Sequence, residues 1–133
     1  MIKQTLRCVV IVSCGWLMTA GSLLAHHSLA ATYVMGGDAE VAGAFKAFRL
    51  VNPHSSMKMD VTNEDGSITE WTFTGGSVST LARLGLGRTG PNALRPGDMI
   101  TVTYMPPLDG KSPLGLLKTI SYEDGRMVQF RVD

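Results

Sequence analysis

Hydrophobic and polar residues alternate with a period of two in several stretches of the chain, the signature of half-buried strands. Met57, Met59 and Val61 point one way, with Lys58 and Asp60 between them. In residues 67–74, Thr69, Trp71 and Phe73 share one face, and Ile68, Glu70, Thr72 and Thr74 the other. Asn63-Glu64-Asp65-Gly66 separates these strands as a hairpin turn. Residues 99–105 put Ile100, Val102 and Tyr104 on one face. Residues 41–51 predict a long first strand with Gly43 as a bulge. Pro53, which lacks an amide donor, ends it. Residues 114–122 and 127–132 predict two last strands around the turn Glu123-Asp124-Gly125-Arg126.

Between the strands at 67–74 and 99–105 the pattern changes. After Gly75-Gly76, Ser77 or Ser79 caps a short helix through Leu84, which Gly85 and Gly87 stop. Arg95-Pro96-Gly97-Asp98 then reads as a tight turn, and residues 106–113 as a loop. Three strands, a helix and two or three more strands predict an all-β domain. A small antiparallel OB-like barrel closes such strands without exposed edges; a β-sandwich is the alternative. The expected core includes Val61, Trp71, Phe73, Ile100, Val102 and Ile120.

Ahead of the strands the pattern changes character. Lys3 and Arg7 precede an apolar run over residues 8–24, and small Ala25 follows. This is the layout of a secretory signal peptide, expected as a helix and cleaved after Ala25. An uncleaved anchor and a lipoprotein modified at Cys14 are alternatives. The expected organisation is a signal peptide over 1–25, an extended segment over 26–40 and a barrel domain over 41–133. The processed protein would be periplasmic or secreted, with no membrane attachment.

Processing changes the composition. Lys plus Arg falls from 12 to 10 while Asp plus Glu stays at 11, for a formal net charge of −1. That balance argues against nucleic acid, which needs a basic surface. Cys8 and Cys14 leave with the signal, so neither a disulfide nor a thiolate remains.

The candidate chemistry lies in three histidines. His26 and His27 would open the processed chain, and His54 follows Asn52-Pro53. A terminal amine beside two imidazoles is a concentrated set of metal-ligand nitrogens. Copper(II) favours tetragonal nitrogen and oxygen donors, and zinc also takes imidazole. Solvated terminal histidines and a turn-bonded His54 are the plain alternative. Met57 and Met59 are candidate soft ligands for Cu(I), but their shared face with Val61 is more simply core packing. Trp71 and Phe73 offer a stacking platform or simple core packing. The carboxylate pairs Glu64-Asp65 and Glu123-Asp124 fall in turns. Serine, histidine and aspartate are present without a nucleophile-elbow motif. The glycines 85, 87 and 90 lack the strand–turn–helix setting of a phosphate loop.

Ala25-His26-His27-Ser28, Asn52-Pro53-His54-Ser55, Asp65-Gly66, Glu70-Trp71, Leu81-Ala82-Arg83-Leu84-Gly85 and Arg95-Pro96-Gly97-Asp98 together carry a resemblance. In these motifs the chain resembles the bacterial domain-of-unknown-function family numbered 6152. The two histidine motifs are its specific part, and Leu86 stands where an aromatic residue is often expected. The resemblance implies a small exported β-protein and brings no activity or ligand. Two readings follow. One is a periplasmic metal-binding protein holding copper, or zinc, for buffering or delivery. The other is a non-catalytic interaction module for a peptide, glycan or protein partner. A metal-dependent enzyme is a third, though no pattern marks a substrate groove.

Overall fold

The first strand, β1 (Ala39–Arg49), organises the molecule because it pairs with two neighbours in succession. Its first half, Ala39 to Ala44, runs antiparallel to β4 (Met99–Met105), and from Ala44 to Arg49 it pairs with β2 (Ser56–Thr62). β2 pairs antiparallel with β3 (Ile68–Thr74), and β4 with β5 (Leu114–Tyr122). β3 and β5 then meet in parallel at Thr72–Leu114, Phe73–Gly115 and Thr74–Leu116. That last pairing closes the sheet into a five-stranded barrel, and short β6 (Met127–Gln129) is added beside β5. The strand order is OB-like, with the helix α1 (Val78–Arg83) between β3 and β4 as the sequence predicts. One sheet closed on itself leaves no place for the sandwich alternative.

The computed structural model describes residues 29–131. The chain divides into two compact units, 1–32 and 33–133. Of the first, the described part is one turn, in which the Thr32 N–H donates to the Leu29 carbonyl at 3.0 Å. The expected signal-peptide helix, its cleavage site after Ala25 and His26 and His27 lie outside the described residues. Among the described residues, no helix is long and apolar enough to cross a membrane.

The strand faces fall as their alternation requires. Met57, Met59, Phe73, Val102 and Ile120 are fully buried, and Val61 and Ile100 nearly so. Trp71 is only half-buried. It packs at the margin of this core, stacked on Phe73 at 5.8 Å and edge-on to Tyr104 at 5.5 Å. The cause is its place on β3 beyond the end of the β3–β5 ladder, which begins only at Thr72.

Two local expectations are revised. The bulge in β1 is not at Gly43; the register shifts between Phe45 and Ala47, leaving exposed Lys46 as the extra residue. Glycine is needed at 43 for a different reason. A Cβ there would sit 2.5 Å from the Asp60 carbonyl oxygen, a contact that only the bare backbone avoids. The last strand also ends at Gln129 rather than 132, although the Phe130 N–H still reaches the Lys118 carbonyl.

The helix cap is Ser77. Its hydroxyl accepts from the Thr80 N–H at 3.2 Å. At the other end the Gly85 N–H bonds the Ala82 carbonyl and the Leu86 N–H bonds the Leu81 carbonyl, a Schellman closure with Gly85 at φ +72°. Leu86 is buried behind it, which explains a large apolar residue at that position.

Candidate functional site at the loop between β1 and β2

His54 lies in the loop that carries the chain from β1 to β2, at one end of the barrel. The loop is fastened on both sides of the histidine. On one side the Asn52 side-chain oxygen accepts the Val78 N–H at 3.1 Å. That amide opens α1, where the first N–H groups have no partner within the helix. The Asn52–Pro53 peptide is cis. On the other side Ser55 is buried. Its hydroxyl donates to the Val51 carbonyl at 3.1 Å and accepts from the Val51 N–H at 3.3 Å. Its backbone pairs with the glycines ahead of the helix: Ser55 N–H to the Gly76 carbonyl at 2.9 Å, and Gly75 N–H to the Ser55 carbonyl at 2.7 Å. The loop and the approach to α1 are therefore one hydrogen-bonded unit.

Within it the imidazole of His54 is half-buried, and its Nε2 is closed off from solvent with no hydrogen-bond partner among the described residues. An unmatched buried donor or acceptor costs about 1–3 kcal/mol, so Nε2 calls for a partner, whether water, a metal ion or a bound group. With the proton on Nδ1, Nε2 presents a lone pair, which suits a metal ion or a donor from a bound group. The plain alternative, a His54 satisfied by its own turn, does not hold at Nε2.

The other candidates sort differently. Among the described residues, no three His, Cys, Asp or Glu side chains are grouped to hold a metal ion. Met57 and Met59 are core residues with no exposure. Phe73 is likewise core and Trp71 packs on it, so the pair offers no open platform. The turn carboxylates serve their turns. Asp65 accepts from the backbone and hydroxyl of Ser67, and Asp124 from the backbone and guanidinium of Arg126. These bonds hold both carboxyls below their ordinary range. What the sequence does not reveal is the fastening of the loop, because Asn52 and Val78 are 26 positions apart. The nearest signal is an asparagine ahead of a proline, which marks a turn without naming its partner.

The family model described as Family of unknown function (DUF6152) matches residues 15–116, more than three quarters of the chain. The match spans all three histidines, β1 to β4, α1 and the start of β5. No curated protein and no solved structure matches.

Proposed function

The chain belongs to the Family of unknown function (DUF6152), and from that footing we propose that it is an exported protein that binds copper, or alternatively zinc, through His26, His27 and His54. The observation that carries this reading is the buried, unpartnered Nε2 of His54. It is a nitrogen ligand held in place by a fastened loop. The free amine and ring of a processed terminus at His26 supply a chelate, and His27 a further or alternative ligand. Four nitrogen donors in a tetragonal arrangement suit copper(II), and a tetrahedral arrangement suits zinc. Buffering or delivery of the metal, in the periplasm or outside the cell, is the role we assign to this site.

Processing is tested by the intact mass of exported protein, expected to equal residues 26–133. Retention of residues 1–25, or lipid on Cys14, removes the free amine and with it the terminal chelate. Calorimetric titration of tag-free processed protein with Cu(II) and Zn(II) tests the site. Binding tighter than micromolar is expected, weakening as pH falls through about 6.5, where free histidine takes up a proton. A residue added before His26 and the substitution His54→Ala should each weaken it. Unchanged affinity in His54→Ala would reduce the site to a terminal chelate.

A second reading draws on another observation. Leu50 and Val51, in the β1–β2 loop, and Leu108, between β4 and β5, are exposed at 56%, 39% and 58%. OB-type barrels use these two loops to hold ligands. If titration finds no metal binding tighter than micromolar, an interaction module for a peptide, glycan or protein takes precedence.

A further inference from the structure

A second recess, with no His54 in its lining, lies between α1 and the end of β6 with the chain just after it. It has a volume of about 510 Å³ and is lined by Thr80, Arg83, Leu84, Gln129 and Arg131. Its two walls are built by two periodicities. Thr80, Arg83 and Leu84 are spaced three and four apart and share one face of the helix. Gln129 and Arg131 are two apart on extended chain and share one side of it. Phe130 between them is buried, and its N–H is tied to the Lys118 carbonyl at 2.8 Å, which fixes that side toward the recess. The Arg83 guanidinium donates to the Thr80 hydroxyl at 3.3 Å, which orients it along the wall.

Among the described residues the charge in this recess is uncompensated: no carboxylate lines it, and neither Arg83 nor Arg131 forms an ion pair. The contrast is Arg126, whose recess also holds Asp98, Glu123 and Asp124 and which pairs with Asp124 at 2.7 Å. Arg83 and Arg131 both line this space and are exposed to solvent, and their planar forks match phosphate or carboxylate oxygens. Gln129 and Thr80 add neutral hydrogen-bonding groups. The volume falls within the usual range of small-molecule sites, about 300–1,000 Å³.

We propose that this recess binds a small molecule through an oxyanion head group, phosphate or carboxylate, held between Arg83 and Arg131. No histidine is among the described residues that line it. The test is two-dimensional NMR of the full chain, titrated at constant ionic strength with inorganic phosphate in one arm and succinate in the other. Saturable shifts at Thr80, Arg83, Gln129 and Arg131 are expected, and the arm that saturates first identifies the head group. Arg83→Gln and Arg131→Gln should each weaken binding about tenfold or more, as loss of a charged hydrogen bond does. Arg95→Gln, on a surface turn elsewhere, should leave it unchanged. The proposal is overturned if neither probe saturates at these residues, or if Arg131→Gln, placed outside every helix and strand, binds as tightly as the parent. Equal weakening by Arg95→Gln would also overturn it, since that result marks general charge attraction.

Discussion

Glu70 illustrates how a conflict built into the sheet is settled by neighbouring side chains. It lies opposite Asp60 in the β2–β3 register, and like charges facing each other across strands repel. Two lysines resolve this. Lys46 from the bulge of β1 reaches both Glu70, at 2.7 Å, and Asp60, at 3.3 Å, and Lys58 reaches Glu70 at 2.5 Å. Hydrogen bonds from Lys46 and Lys58 push the Glu70 carboxyl down from its ordinary 4.5 to about 2. A depressed carboxylate stabilises the fold fully above its unfolded pKa and loses that contribution as pH falls toward the folded one. The network is solvent-exposed, so its contribution is small. Denaturant melts should show stability declining from pH 4.5 toward 2, with a shallower decline in Glu70→Gln. Some slope will remain, because Asp65, Asp109 and Asp124 are shifted in the same direction. An unchanged slope in the variant would disprove the role of this group.

At the scale of elements, α1 has six residues, too few to persist alone in water. It stands because Ser77 caps it, Gly85 and Leu86 close it, Leu81 is buried beneath it and Asn52 reaches across from another loop. Ser77→Ala should therefore cost about 1 kcal/mol in urea unfolding, and Ser77→Gly only a few tenths. If the alanine variant matches the parent, the cap contributes nothing. Much of this level was legible beforehand. Over 56–62 and 99–104 buried and more exposed positions alternate, so their period of two appears directly in residue type, while in 68–74 only Phe73 is buried. The role of Gly43 was not legible, since it depends on the Asp60 carbonyl brought close by pairing. His54 was legible as a motif, but its unpartnered nitrogen was not. The arginine recess left no local signal, because its two walls come from segments more than forty residues apart.

For the whole molecule, the core is a single cluster that draws on every strand. Phe73 is at its centre: fully buried, on the strand that closes the barrel, and in edge-on contact with Tyr104 at 5.3 Å. Phe73→Ala should cost about 3–5 kcal/mol in equilibrium unfolding. Trp71→Ala should cost less, because that ring is already partly wet. The reverse order would mean that the margin of the barrel, rather than its centre, holds the fold.

The way the barrel closes also governs how it forms. Ala39 pairs with Tyr104 and Thr72 with Leu114, partners 65 and 42 positions apart. The entropy of closing such long loops is lost before the contacts that reward it exist. A chain ending short of β5 would leave the Phe73 strand with one edge unpaired and the apolar faces of β2 and β3 open to water. Folding governed by such distant partners belongs to the millisecond-to-second class of β-barrels, a pace set by the order of the strands and not by any one side chain.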